Sequence, residues 1–396
     1  YAARPASADS TPGLNDVPVG GSYNMGSHAS RTRASSAAFR AISGPIPAGS
    51  PTVIAMRGFR VISGGSRLLN YTMPFLKHNE TSSRIAAIER QCEAIVSELK
   101  TMNEQLARLV LRESQVRAVM EREAELDRYQ SKLEDTLAKP TTSSHIERAV
   151  REAELNSSPF PHAVIDAVFP DDLYACLLRG LPPLQLFADR PTNKQQLQVP
   201  FRLAPAYSRR VWRYLTSVVI PEWLAPAIVT KFREPVDEWI RVNWPEVPPE
   251  SVAFQSSDGR ILLRRRGYRI PPHRDPKWGF LTCILYLARA EDSESWGTQL
   301  YTVDGDEEAR GAAPHWIDPE RCRYVGDVTF RPNRIFVFLN SVGAHGAHIP
   351  DDAQPETLER YIFQFRIAPT VESMGMLKST LTEARRPFWA GKAADY

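Results

Sequence analysis

His273-Arg274-Asp275 sets an imidazole and a carboxylate two positions apart. In extended backbone that spacing turns both side chains to one face, where they can bind the same metal ion. A lone His-x-Asp triplet arises by chance, so its surroundings matter. Here it ends the segment Gly267-Tyr268-Arg269-Ile270-Pro271-Pro272 and precedes the apolar run from Phe280 to Leu287. Further along, Arg334-Ile335-Phe336-Val337-Phe338-Leu339-Asn340 reads as a strand that runs into Ser341-Val342-Gly343-Ala344-His345-Gly346 and delivers a second imidazole at its end. Two imidazoles and one carboxylate leave three coordination positions open, the ligand set of mononuclear non-haem Fe(II) sites. A structural zinc site would want four protein ligands, usually including cysteine. His345 is preferred for the distal imidazole because Gly346 follows it; His348 is the alternative.

Glu359-Arg360-Tyr361-Ile362-Phe363-Gln364-Phe365-Arg366 alternates polar and apolar positions, so Arg360, Ile362, Gln364 and Arg366 share one face of a strand. An arginine aimed into a barrel is costly unless it meets an anion, and its planar fork suits a carboxylate. The remote carboxylate of 2-oxoglutarate would be such an anion. The plainer alternative is a rim arginine paired with Asp351, Asp352 or Glu356.

Taken together, Pro271-Pro272-His273-Arg274-Asp275-Pro276, Thr282-Cys283-Ile284-Leu285-Tyr286-Leu287 with Trp296-Gly297-Thr298-Gln299-Leu300-Tyr301, the turn Phe338-Leu339-Asn340-Ser341 to His345-Gly346, and Arg360 resemble the 2-oxoglutarate/Fe(II) dioxygenases of the prolyl-hydroxylase-like superfamily. Pro159-Phe160-Pro161-His162-Ala163-Val164-Ile165 is similar to that family's opening strand. The resemblance covers residues 157–370. It implies a double-stranded β-helix (jelly roll), iron ligands at His273, Asp275 and His345, and a cosubstrate anchor at Arg360. It also implies a hydroxylase that releases succinate and CO₂, with Fe(II) as cofactor, 2-oxoglutarate as cosubstrate and ascorbate as an optional auxiliary. The chain departs from the family pattern in two places. Leu285 stands where some members carry a cosubstrate-binding Tyr, which puts Tyr286 on the opposite face. Arg360 follows His345 by fifteen residues, and His348 by twelve.

The elements that must position these residues follow from periodicity. Short β-type runs at 260–264, 280–288, 298–303, 323–330, 333–339 and 360–367, after helical segments around 208–218 and 222–242, predict an α+β fold: a jelly roll with supporting helices on its N-terminal side. Trp212, Trp223, Trp239 and Trp244 fall at helical spacings and read as core. Upstream, Ile85, Ile88, Cys92, Ile95, Leu99, Met102, Leu106 and Leu109 alternate steps of three and four, a coiled-coil seam. The register slips near Val119–Met120 and resumes through Leu126, Tyr129, Leu133 and Leu137 until Pro140. One helix over residues 83–138 would be about 80 Å long. The expected organisation is a low-complexity, disordered segment at 1–78, a coiled coil at 79–139, the catalytic domain at 157–370 and a tail at 371–396.

Arg264-Arg265-Arg266 with Arg269 could steer an anionic substrate or form a solvated edge; His162 and His315 stand apart from the metal set. The 49 Lys+Arg against 46 Asp+Glu give a net charge of +3 and no electrostatic case for nucleic acid. No apolar stretch is long enough to span a membrane, and Cys92, Cys176, Cys283 and Cys322 form no C-x-x-C pair. A cytoplasmic, homo-oligomeric enzyme is therefore expected, although the chain begins at Tyr1 and a native start with a targeting segment could precede it. Its substrate is a small molecule, a glycan or a protein side chain. Two other functions share these features: a cupin-like metalloprotein that does not use 2-oxoglutarate, and a coiled-coil assembly protein with an inactive jelly roll.

Overall fold

The computed structural model describes residues 78–190, 194–198, 202–257, 259–305, 317–381 and 383. The expected disordered segment lies outside these residues but for His78, and so does His315. The chain divides into two units between Ala87 and Ile88.

Helix α1 (His78–Leu126) carries the heptad seam, and among its described side chains Ile88, Ile95, Leu99, Met102, Leu106 and Leu109 are all exposed. The single helix expected to residue 138 does not form. A 3-10 turn (Asp127–Tyr129) separates α1 from α2 (Gln130–Leu137). Leu126, the last residue of α1, already sits in the main core, and the turn rotates the following apolar face so that Leu133 and Leu137 join it there rather than continuing the seam. Helix α3 (Thr142–Glu152) joins the same core through Ile146 and Val150, which moves the start of the folded domain well before residue 157.

The remaining helices are α4 (Asp171–Arg179), α5 (Ala206–Tyr214), α6 (Ala225–Lys231) and α7 (Arg233–Asn243). Between α5 and α6 runs a π-helical stretch, Leu215–Leu224, containing Pro221, whose missing N–H cannot close an ordinary α-turn. Trp212, Trp239 and Trp244 are buried and Trp223 packs at the edge, as their spacing predicts. No single helix among the described residues is long and apolar enough to cross a membrane.

The strands are β1 (Leu155–Asn156), β2 (His162–Ile165), β3 (Ala188–Arg190), β4 (Lys194–Gln198), β5 (Phe254–Ser256), β6 (Arg260–Arg264), β7 (Arg269–His273), β8 (Leu281–Tyr286), β9 (Thr298–Val303), β10 (Cys322–Val328), β11 (Arg334–Leu339), β12 (Ala344–His348) and β13 (Arg360–Pro369). The major sheet runs β1-β2-β11-β8-β13-β6-β4-β3, with β5 also paired to β13, and the minor sheet runs β10-β9-β12-β7. From β6 onward the chain passes back and forth between the sheets, and β11-β8-β13-β6 faces β10-β9-β12-β7. This is the strand order of a jelly roll, and all named pairings are antiparallel.

Strand β8 is buried along its whole length. Cys283 and Leu285 pack toward the helices, while Ile284 and Tyr286 pack between the sheets with Leu262, Leu300, Phe336, Phe338 and Ile362. Burial on both faces erases the alternation that would have shown which way each residue points. Tyr286 is therefore on the inner face, opposite Ile362, and the sequence-based placement of Leu285 there is corrected. The C-terminal tail is also partly structured: α8 (Val371–Ser379) buries Leu377, whose carbonyl accepts a 3.0 Å hydrogen bond from Trp244 Nε1.

Candidate metal centre

His273 ends β7, Asp275 lies in the connection to β8, and His345 stands near the start of β12. In the minor sheet His345 pairs directly with His273. The three offer one ligand atom each within 4.8 Å of one another. They are 4%, 6% and 6% exposed in chain order. The imidazole rings of His273 and His345 lie 4.2 Å apart between centroids, and His273 Nε2 is 3.9 Å from Asp275 Oδ1. His348 is exposed and pairs with Arg269 at the far end of β12, away from this group.

Local sequence explains the convergence. His273 Nδ1 donates to the Pro271 carbonyl at 2.9 Å, which leaves the Nε2 lone pair facing Asp275. Gly343 takes φ +69°, and a Cβ there would come 2.4 Å from Phe160, so the turn that delivers His345 requires glycine. Arg274, the central residue of the triplet, donates from Nε to the Gly343 carbonyl at 2.8 Å. It thereby ties the His273–Asp275 loop to the His345 turn.

Asp275 is held in a polar network. Thr282 donates to its Oδ2 at 2.7 Å and accepts from Asn340 Nδ2 at 3.0 Å, and Gln364 Nε2 lies 3.4 Å from the same oxygen. Arg366 Nη2 is 3.7 Å from Oδ1. Burial opposes ionisation, but Arg366, both imidazoles and the Thr282 hydroxyl outweigh it and hold the carboxyl well below the usual carboxylate range. A buried, ionised carboxylate beside two imidazoles fits a divalent first-row metal, and the described groups around it supply no fourth cysteine or histidine.

Arg360 projects from β13 into the same interior and is 1% exposed. Its Nη2 donates to the Ser293 carbonyl and its guanidinium carbon lies 4.1 Å from the Phe330 ring centroid. Nε and Nη1 have no hydrogen-bond partner, and none of Asp351, Asp352 and Glu356 pairs with it. Burial pushes this guanidinium down to about 10; Asp292 opposes that shift and Arg264 reinforces it. Tyr286 shares this face and donates to Thr298 Oγ1 at 2.8 Å.

The sequence pattern placed Gln364 and Arg366 on the right face without linking them to Asp275. Thr282 and Asn340 were missed as its supports, although Thr282 is the one hydroxyl in the apolar interior of β8 before Tyr286. The arginine run divides where β6 ends. Arg264 faces inward, 4.9 Å from the Tyr268 ring, while Arg265 pairs with Glu359 at 2.9 Å and Arg266 donates to the Asp351 carbonyl at 2.6 Å.

No protein-family model and no curated protein matches the chain. Solved structures similar to it include a Trichoplax adhaerens prolyl hydroxylase in complex with a hypoxia-inducible-factor peptide, at 11% identity and TM-score 0.37, covering 61% of this chain and 98% of that one. A Pseudomonas putida prolyl-4-hydroxylase is similar at 14% identity and TM-score 0.33, covering 56% and 98%. The Streptomyces hygroscopicus protein HygX, solved with nickel, 2-oxoglutarate and hygromycin B, is similar at 14% identity and TM-score 0.33, covering 53% and 83%. At identities this low the functional reading rests on the site's own geometry.

Proposed function

We propose that the jelly-roll domain is an Fe(II)- and 2-oxoglutarate-dependent dioxygenase that hydroxylates its substrate. The observation that carries this reading is the pairing of two features in one interior: the buried His273, Asp275, His345 group and a buried guanidinium, Arg360, with two polar atoms left without partners. A buried, incompletely paired cation is costly, and a carboxylate arriving with the cosubstrate would offset that cost.

The residues divide the work. His273, Asp275 and His345 would hold the metal and leave one side open for cosubstrate and O₂. Thr282, Gln364 and Asn340 fix Asp275 so that its Oδ1 stays aimed at the imidazoles. Arg360 lies four residues from Gln364 on one strand, about 13 Å, a span that its side chain and a five-carbon dicarboxylate together can cover. Tyr286 borders that path. When bound, the iron supplies the redox chemistry, coupling O₂ reduction to decarboxylation of 2-oxoglutarate and oxygenation of a substrate C–H bond. The aromatic inner faces, with Phe160, Phe330, Phe336 and Phe338, exclude water from the centre.

The exposed seam of α1 supports self-association as a coiled coil, since an a/d-only stripe is the narrow face that a second helix of the same period covers.

Anaerobic titration with Fe(II) and 2-oxoglutarate should give the visible charge-transfer band of a bidentate chelate, and O₂ should then yield succinate even without the primary substrate. Absence of both band and succinate would favour a cupin-like metalloprotein.

A further inference from the structure

Strands β6 and β13 turn an unusual amount of positive charge into the space between the sheets. Arg264 stands opposite Arg360 and Arg260 opposite Gln364, with the inward pair Leu262 and Ile362 between them. Arg260 donates through Nε and Nη2 to Gln364 Oε1, at 3.2 and 3.0 Å. Arg366 completes the inner face next to Asp275. The outward-facing Arg265 and Arg266, by contrast, meet acidic partners in Glu359 and Glu356. For Arg264, Arg360 and Arg366 together, the ion pair within the described residues is the 3.7 Å contact between Arg366 and Asp275, with Asp292 a more distant counter-charge to Arg360.

A filled cosubstrate site does not remove this excess. A divalent metal, Asp275, a dicarboxylate and Arg360 balance one another in charge, and Arg366 and Arg264 remain as cations on the inner face. Arg366 is the one placed to meet a substrate. Its side chain is 29% exposed, so it is reachable from solvent, yet its Nε is buried and has no hydrogen-bond partner. Gly279 makes room for it, since a Cβ there would come 2.6 Å from Arg366 Cδ. At 3.7 Å the guanidinium is in ionic contact with Asp275 but makes no hydrogen bond to it, so its donors remain available to an incoming anion.

Building on the dioxygenase reading, we propose that the primary substrate carries a carboxylate or phosphate group and that Arg366 binds this anion beside the metal. Arg260 holds Gln364, which reaches Asp275, and so acts on the metal ligand rather than on the anion. The oxidised C–H bond would then lie a few bonds from the anionic group.

The test uses full-length protein loaded with Zn(II), stripped of free metal, saturated with 2-oxoglutarate, and titrated calorimetrically with acetate and with methyl phosphate at constant ionic strength. At least one anion should bind saturably, and the tighter of the two identifies the group. Its affinity should fall tenfold or more in Arg366→Gln, be partly kept in Arg366→Lys, and be unchanged in the outward-facing Arg265→Gln. Absence of saturable binding by both anions, or equal binding in Arg366→Gln, overturns the proposal. Wild-type uptake of Zn(II) and 2-oxoglutarate is measured first in the same instrument, and its failure would overturn the dioxygenase reading instead.

Discussion

Replacing Arg360 with methionine separates what the guanidinium costs the empty fold from what it contributes to cosubstrate binding. The side chain is 1% exposed, flanked by Phe330 and by Arg264 on the paired strand, and two of its three nitrogens lack partners. Burial already pushes it down to about 10, so the cosubstrate-free protein gains nothing from the charge. An apolar chain of similar length should therefore leave the melting temperature unchanged or raise it. Binding is the opposite case. Two charge-assisted hydrogen bonds to a carboxylate, each about 1.5–3 kcal/mol, less the shared cost of drying the anion, leave about 3 kcal/mol. That corresponds to about a hundredfold in Kd. The assay is anaerobic titration of the Fe(II)-loaded variant with 2-oxoglutarate, read by the charge-transfer band and, independently, by calorimetry with Zn(II). Iron should still bind at one per chain. A Kd within about threefold of wild type would refute the anchor role of Arg360. If Arg366→Ala then weakened 2-oxoglutarate while Arg360→Met did not, the anchor would lie at the metal end of β13 instead.

Three further outcomes are expected. His345→Ala should abolish Fe(II) binding and succinate formation, whereas His348→Ala, at the exposed end of β12, should keep turnover near wild type; equal losses in both would remove the distinction. The full chain should sediment as an oligomer, most simply a dimer, and Leu99→Glu with Leu106→Glu in the α1 seam should make it monomeric without altering Zn(II) uptake; a monomeric wild type would disprove the coiled-coil assignment. His162 is buried on β2 and its pKa is lowered, first by burial and against the Phe160 carbonyl bond, so the fold favours neutral imidazole. Its contribution to stability is complete above the unfolded value of about 6.5 and is lost as pH falls from there through the folded value. Wild type should lose more melting temperature than His162→Phe between pH 7.5 and pH 5.5, and parallel losses would exclude His162 as a cause.

The sequence by itself determined the elements whose periodicity is undiluted. The alternation from Arg360 to Arg366 fixed that strand's inner face. The two-residue spacing of His273 and Asp275 marked both as candidates for one metal, although Asp275 lies just past the end of β7, and the steps of three and four marked the helix that carries the seam from Ile85 to Leu109. The period-two and heptad rules are local, so a single chain can obey them legibly. Three other features were decided only by tertiary structure. Strand β8 is apolar on both faces, so only the packed sheets revealed that Tyr286 points inward and Leu285 outward. The seam looked as if it resumed at Leu126, but a 3-10 turn hands Leu133 and Leu137 to the domain core, because burial there outweighs continuing an exposed stripe. The grouping of His273 and Asp275 with His345, the clamp from Arg274 to the Gly343 carbonyl, and the placement of Arg366 beside Asp275 all join residues far apart in the chain. Such contacts depend on how the two sheets face each other, and no local pattern encodes that distance.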